Sequence, residues 1–161
     1  MNWPRRESLS PCVIVEGPAG CVCARWTRLP CRSPVTAANA AAVRRSLQAW
    51  LLDHGRKTFG AWLPQVAAQT GFAFGRLQVR RQRTRWGSCS LARTISLNCC
   101  LLFQRPEVVR YLLVHELAHT RHMNHSARFW RLVATHVADY RRLDRELVQG
   151  WQNVPSWVFV S

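Results

Sequence analysis

The chain has almost no lysine, since Lys57 stands alone beside 22 arginines among the 161 residues. Acidic residues are also scarce: there are 8 of them, and the formal net charge is +15. No cluster of carboxylates that would hold magnesium is visible, and no glycine-rich phosphate loop is present. These absences weaken one enzyme class, the metal-dependent hydrolysis of nucleotide phosphoanhydrides, which the excess of arginine would otherwise suit.

Long apolar segments are missing as well. No apolar run approaches the length of a membrane span. The first ten residues carry Arg5, Arg6 and Glu7 and lack the apolar stretch of a secretory signal. The seven cysteines are odd in number, and Cys99 and Cys100 are adjacent, which argues against a disulfide framework. We therefore expect a cytoplasmic protein with reduced thiols.

The N-terminal cysteines allow two interpretations. Cys12, Cys21, Cys23 and Cys31 could form a second metal site, but their C-x-C spacing is not the C-x2-C of structural zinc. Buried thiols in a small sheet are the alternative.

The positive charge also allows two interpretations. An arginine guanidinium can donate two hydrogen bonds to one phosphate, so an arginine-rich surface could bind nucleic acid. A GC-rich genome, which favours arginine codons over lysine codons, would give the same composition without such a partner. The sequence leaves nucleic acid as a possible partner, and it gives no oligomeric state.

The most informative motif is His115-Glu116-Leu117-Ala118-His119. Two histidines four apart on a helix point the same way and lie close enough to share one zinc ion. The glutamate between them is placed to act on a zinc-bound water as a general base. Pro106 and Glu107 suit the first turn of the helix that carries the motif. The alternative, a pair of core histidines, would bury three polar groups that need partners.

A catalytic zinc site needs a third protein ligand. His122 and His125 are the candidates. His122 would continue the row of His115 and His119 along the helix, and three ligands in one row cannot surround a metal. His125 requires the chain to leave the helix and fold back, and we favour it. The spacing from His119 to His125 matches that of metzincins, but His122 stands where that pattern has glycine.

Periodicity and turn residues predict the remaining elements. The N-terminal part reads as a hairpin around residues 16–20. One helix is expected from residue 36 or 39 to about 54, broken at Gly55, and a second over 59–70, kinked at Pro64 and stopped by Gly71. Strands over 77–81 and 94–98, the latter extended by 99–103, read as an antiparallel pair. Helices over 126–137 and 139–149 complete the chain.

Several segments in a fixed order resemble the YgjP-like metallopeptidase family, which is related to the SprT-like zinc proteases. These segments are Arg85-Trp86-Gly87-Ser88-Cys89-Ser90, Ile95-Ser96-Leu97-Asn98, Pro106-Glu107-Val108-Val109, Val114-His115-Glu116-Leu117-Ala118-His119, Asn124-His125-Ser126 and Phe129-Trp130. The resemblance covers roughly residues 43–149. It implies a small α+β zincin-like domain with N-terminal helices, a short antiparallel sheet, a zinc helix and C-terminal helices.

The resemblance also implies the chemistry. His115, His119 and His125 would hold one catalytic zinc, with Glu116 as the catalytic glutamate, in an enzyme that hydrolyses peptide bonds of a peptide or protein substrate. We expect this domain over residues 36–150, after a hairpin-like segment (1–35) that is truncated or divergent relative to the family, and before a tail (151–161).

Two further residues are candidates for contacts to the substrate or the transition state. Arg85 could stabilise an oxyanion, with bracing of a turn as the alternative. Asn98 could bond a substrate backbone or the turn that carries His125. Residues 94–98 are our hypothesis for the strand edge that receives the substrate. The non-enzymatic alternative is a basic, nucleic-acid-associated protein with a structural zinc.

Overall fold

The first part of the chain contains a small antiparallel ladder. The computed structural model describes residues 14–17, 21–24 and 37–160. Strand β1 (Ile14–Gly17) pairs antiparallel with β2 (Cys21–Ala24). The predicted hairpin pairing is confirmed.

The chain divides into two units, Met1–Arg45 and Ser46–Ser161. The boundaries we expected from the sequence, at residues 35 and 150, stay a prediction. The second metal site considered for the N-terminal cysteines involves Cys12 and Cys31, which lie outside the described residues.

Helix α1 (Ala37–Thr70) is one continuous helix of 34 residues, so the expectation of two helices broken at Gly55 was wrong. Gly55 is buried within α1, and a Cβ there would lie 3.2 Å from Val79 Cγ1 and 3.3 Å from Cys99 Cβ. Glycine therefore serves close packing and does not break the helix. Pro64 lies inside the helix, and Gly71, with a φ of +69°, follows its end, as expected.

The second sheet has three strands in the order β3-β5-β4. Strand β5 (Thr94–Asn98) pairs parallel with β3 (Arg76–Arg80) and antiparallel with β4 (Gly87–Cys89). The expected antiparallel pair of residues 77–81 and 94–98 was therefore wrong. The three-residue strand β4 forms the tight hairpin with β5, and this leaves β3 to pair with the other side of β5.

The segment after β5 is a short 3-10 helix, Cys99–Phe103, where we expected the strand to continue. Asn98 causes the change of direction, because its side-chain oxygen accepts a hydrogen bond from the Cys100 N–H at 3.1 Å. Its side-chain amide donates to the carbonyl oxygens of Gln82 at 2.7 Å and Arg85 at 2.8 Å. Asn98 is fully buried, so it ties the loop between β3 and β4 to the sheet.

Helix α2 (Pro106–Ala118) is the central element of the second unit and packs against β4 and the two helices that follow, α3 (Ala127–His136) and α4 (Tyr140–Gln149). Nine of its 13 residues are buried: Val108, Val109, Tyr111, Leu112, Leu113, Val114, Glu116, Leu117 and Ala118. The expected positions of all three helices are confirmed within one or two residues. The α+β class is confirmed as well.

The residues after α4 belong to the core of the second unit, although we expected a tail there. Two 3-10 turns, Gly150–Asn153 and Ser156–Val158, follow α4, and Val158 is fully buried. Trp151 stacks on the buried Trp86 with ring centroids 4.1 Å apart. In the described ranges, no helix combines the length and apolar character that a bilayer crossing requires.

The three hydrogen bonds of Asn98 predict a large effect of its removal. Asn98→Ala leaves one N–H and two carbonyl groups without their partner, and we expect the free energy of unfolding to fall by about 2–3 kcal/mol in urea denaturation. Asn153→Ala is the matched control, because the exposed Asn153 makes only one long side-chain bond, 3.4 Å to Gln104. Equal losses in the two variants would contradict this role of Asn98.

Candidate metal centre

Two of the candidate ligands are presented by the end of α2. His115 lies in its last turn, and His119 directly follows it, with its backbone N–H still bonded to the His115 carbonyl at 3.3 Å. The backbone then tightens, because the N–H groups of Thr120 and Arg121 bond to the carbonyls three residues earlier, those of Leu117 and Ala118, each at 3.0 Å. After this turn the chain folds back, and His125 approaches the two helical histidines.

The three histidines present their Nε2 atoms to one another. Nε2 of His115 and Nε2 of His119 are 3.3 Å apart, and Nε2 of His125 lies 3.1 Å from each. A tetrahedral metal with bonds of about 2.0–2.1 Å separates two of its nitrogen ligands by about 3.3–3.4 Å. This triangle of nitrogens therefore has nearly the dimensions of three corners of a zinc tetrahedron.

The tautomer of His119 is set by a backbone carbonyl. Its Nδ1 lies 3.0 Å from the carbonyl oxygen of His122. A carbonyl can only accept, so Nδ1 carries the hydrogen and Nε2 keeps a free lone pair. His122 thus contributes its carbonyl to the site, and its ring is not part of the histidine cluster.

The tautomer of His115 is set from a different helix. The hydroxyl of Tyr111 donates to Oδ1 of Asp144 on α4 at 2.7 Å, which uses its only hydrogen. The hydroxyl oxygen of Tyr111 also lies 3.4 Å from Nδ1 of His115, where it can only accept a hydrogen bond. The chain Asp144–Tyr111–His115 therefore places the hydrogen on Nδ1 and leaves Nε2 free to bind a cation.

A buried ring forms the floor beneath the histidines. Phe129 on α3 is fully buried, and its ring centroid lies 4.9, 4.5 and 4.8 Å from those of His115, His119 and His125. Trp130 stacks on His125 with centroids 5.5 Å apart. The contacts of Phe129 with all three imidazoles and of Trp130 with His125 fix the orientations of the rings, so the three Nε2 atoms converge on one point.

Burial favours the neutral, metal-binding form of the two histidines presented by α2. It lowers the pKa of His115 to about 3, helped by the nearby His119 and His125. Burial also lowers the pKa of His119. The Nε2 lone pairs of His115 and His119 face each other and repel, and a cation bound between the three rings would relieve this repulsion. The donor set therefore fits a metal ion.

Glu116 lies on α2 against β4. A Cβ added to Gly87 would lie 2.6 Å from Glu116 Oε1, so only glycine leaves room for the carboxyl group. Glu116 is 4 % exposed, and its Oε2 has no hydrogen-bond partner among the described residues. Burial raises the pKa of Glu116 to about 8. A buried carboxyl group with a free oxygen is suited to exchange a proton with a ligand.

The other two predicted site residues lie in different environments. Asn98 is buried, and its side chain bonds to the backbone of Gln82, Arg85 and Cys100. Arg85 is exposed and stands two residues before β4, and its guanidinium forms no hydrogen bond or ion pair within the described part of the chain. Trp86 packs in the core.

Sequence reasoning missed two residues of the site. Gly87 was part of a recognised motif, but its contact with Glu116 depends on the packing of β4 on α2. Asp144 is one of only 8 acidic residues, yet no spacing connects it to a tyrosine 33 positions earlier. An acidic residue on the apolar side of α4 was the only available signal.

Comparison with known proteins gives one family. The family model described as "YgjP-like, metallopeptidase domain" matches residues 29–149. No curated protein matches the chain.

Two solved structures are similar to the chain. The crystal structure of the metallopeptidase zymogen of Methanocaldococcus jannaschii jannalysin has 16% sequence identity and a TM-score of 0.48, and the match covers 54% of this chain and 90% of that one. The crystal structure of the metallopeptidase zymogen of Pyrococcus abyssi abylysin has 22% identity and a TM-score of 0.47, with coverage of 65% and 95%.

The pKa of Glu116 predicts how pH affects the metal-free protein. The folded pKa of about 8 exceeds the ordinary value of 4.5, so between these values the unfolded chain releases a proton that the folded chain retains. The free energy of unfolding of metal-free wild type should therefore fall, relative to Glu116→Gln, by about 1.4 kcal/mol per pH unit from about pH 4.5 to 8. Denaturant titrations with chelator across this range measure the difference, and a constant difference would contradict it.

Proposed function

Because the chain belongs to the YgjP-like metallopeptidase family, we propose that it is a zinc-dependent peptidase with His115, His119 and His125 as the metal ligands and Glu116 as the general base. The observation that carries this proposal is the triangle of three Nε2 atoms with edges of 3.1–3.3 Å. Family membership implies a catalytic metal, and the triangle supplies a place for it.

The donor set suits a single zinc ion and disfavours magnesium or calcium, which prefer oxygen ligands. The three donors are neutral imidazole nitrogens, which suit zinc, and no thiolate or carboxylate belongs to the cluster found among the described residues. Three protein ligands leave the fourth tetrahedral position open, which distinguishes catalytic from structural zinc sites. This argues against the alternative of a nucleic-acid-associated protein with a structural zinc.

A bound zinc supplies Lewis-acid chemistry, since it acidifies a coordinated water and polarises the carbonyl of the scissile bond. The protein contributes the proton transfers. Glu116 accepts the proton of the attacking water on its free Oε2 and delivers it to the nitrogen of the leaving amine. A nearby cation favours the carboxylate form of Glu116, which is the form needed to begin this cycle.

The substrate edge that we propose is β4, not β5. Strand β5 is the central strand and is paired on both sides, so the hypothesis that residues 94–98 receive the substrate was wrong. Strand β4 is an edge strand, and its Gly87 contacts Glu116. An extended peptide added to β4 would therefore run past the general base. Arg85, just before β4, remains our candidate for a contact to the substrate or the oxyanion.

A peptide substrate is favoured over a nucleotide by the family match and by this free strand edge. We also propose a reducing, cytoplasmic location, in keeping with the free thiols of Cys89, Cys99 and Cys100. Nucleic acid remains a possible partner of the arginine-rich surface, without a particular site to support it.

The ligand assignment predicts a clear difference between two neighbouring histidines. Protein purified without added metal should contain about one zinc per chain, and His125→Ala should lose it. His122→Ala is the matched control and should retain zinc, because it keeps the backbone carbonyl that bonds His119. Elemental analysis measures the metal. Zinc retained by His125→Ala, or lost by His122→Ala, would contradict the assignment.

Glu116→Gln should retain zinc in the same measurement while peptide hydrolysis falls by about 10²–10⁴-fold. The expected loss follows from removal of the proton acceptor without removal of a ligand. Cleavage of a fluorogenic peptide library by wild type and variant provides the comparison, and undiminished hydrolysis would show that another group is the base.

The contact between Gly87 and Glu116 predicts that a single methyl group impairs catalysis. Gly87→Ala places a Cβ where the carboxyl group lies, so Glu116 must move, and we expect kcat to fall by at least about tenfold with zinc retained. Gly60→Ala is the control, because a Cβ at Gly60 meets nothing within 4 Å. Normal kcat in Gly87→Ala would mean that the position of Glu116 against β4 is not required.

A further inference from the structure

A groove runs along the edge of the sheet opposite to β4. Strand β3 is the other edge strand, and β5 occupies its inner side. Within the described residues, no backbone hydrogen bond reaches its outer side. The groove has a volume of about 460 Å³ and is lined by Arg56 of α1 and by all five residues of β3. An unpaired edge of this kind can accept a further strand.

The groove carries three arginines that form no ion pair within the described residues, although Asp53 on α1 interacts electrostatically with Arg56. Arg56, Arg76 and Arg80 are all exposed. The ion pairs among the described residues involve Lys57, Arg105 and Arg142, and none of the three groove arginines. Arg80 bonds instead to the neutral side chain of Gln78, with Nε 3.1 Å from the amide oxygen. The groove therefore has a net positive charge, which is complementary to an acidic partner.

Apolar and polar side chains alternate along β3, so its arginines lie on the face of the strand away from the core. Leu77 and Val79 pack against the core, whereas Arg76, Gln78 and Arg80 occupy the alternate positions. Alternate residues of an extended chain are about 6.6–6.8 Å apart. A second extended chain along β3 would present its own alternate side chains at the same interval, so acidic residues at every second position would match the arginines.

We propose that the outer edge of β3 binds an extended acidic segment of a protein substrate by strand addition, with Arg56, Arg76 and Arg80 pairing with its carboxylates. The identification of the partner as a substrate rests on the proposed peptidase function, and the binding itself does not. A peptide backbone satisfies the alternating N–H and C=O groups of the strand edge, which phosphates cannot do. No aromatic ring among the described residues lines the groove, so these residues do not provide the base stacking that single-stranded nucleic acids use.

The position of the groove defines the kind of substrate. Strands β3 and β4 are separated by one strand, which places the two edges about 10 Å apart. A single straight peptide cannot pair with both. The acidic segment would therefore be a separate part of the substrate from the cleaved segment, and this favours proteins with flexible acidic stretches.

The test measures binding without cleavage. The zinc-loaded chain of 161 residues with Glu116→Gln is titrated against a fluorescent peptide that alternates Glu with Val, and against the same peptide with Gln in place of Glu. We expect the acidic peptide to bind more tightly, and Arg76→Gln/Arg80→Gln to weaken its binding about tenfold. The control is Arg131→Gln/Arg145→Gln, which removes two exposed charges from α3 and α4 and should have little effect.

Strand addition is tested by backbone methylation. N-methylation of alternate residues on one side of the acidic peptide should abolish binding, and methylation of the other set should not, since only one edge faces β3. Equal tolerance of both sets, or equal weakening by the two arginine double variants, would overturn the proposal. Oligothymidylate binding could depend on Arg76 and Arg80 while binding of the acidic peptide does not. This result would assign the groove to nucleic acid and would also overturn the proposal.

Peptide cleavage separates this proposal from the proposed function. Binding that depends on Arg76 and Arg80, with no hydrolysis by the wild-type chain, would refute the peptidase and retain the docking edge. Hydrolysis of acidic proteins with a KM unchanged in Arg76→Gln/Arg80→Gln would refute the docking edge and retain the peptidase.

Discussion

Three imidazole nitrogens that face one another at 3.1–3.3 Å are the constraint on which the rest of the site depends. Hydrogen bonds on the far side of two rings enforce it, through the His122 carbonyl and the Tyr111 hydroxyl. The buried ring of Phe129 supports all three rings from below. The arrangement is unfavourable without a cation, so the surrounding fold must be rigid enough to maintain it. Much of the packing around α2 is explained by this requirement.

The position of α2 also determines the chemistry of Glu116. The helix is buried on nearly all sides, and this removes water from the carboxyl group between the two histidines. Strand β4 closes the remaining side, and Gly87 provides the room for the carboxyl group. The same packing therefore surrounds the histidines that we propose as ligands and buries the carboxyl group that we propose as the base.

The local parts of this site could be predicted from the sequence. The relation of His115 to His119 follows from helical geometry alone, and His125 follows from the need for a ligand outside the helical row. Gly87 and Asp144 could not be found in this way, because their roles depend on which elements pack together. The same reason explains the error in the sheet: a strand of only three residues, β4, gives little pattern, yet it decides that β3 and β5 run parallel. Gly55 was interpreted as a helix breaker because its neighbours Val79 and Cys99 are distant in sequence.

Helix α3 begins two residues after the third candidate ligand. Ser126 separates them, and its side chain accepts a hydrogen bond from the Phe129 N–H at 3.4 Å, so the cap, the ligand and the floor of the site lie within five residues. An ion that draws His125 toward α2 also fixes the start of α3. Metal affinity and folding are then linked thermodynamically, and each stabilises the other by the same free energy. The concentration of free zinc in the cell would in this way set how much of the protein is folded, and therefore how much survives turnover.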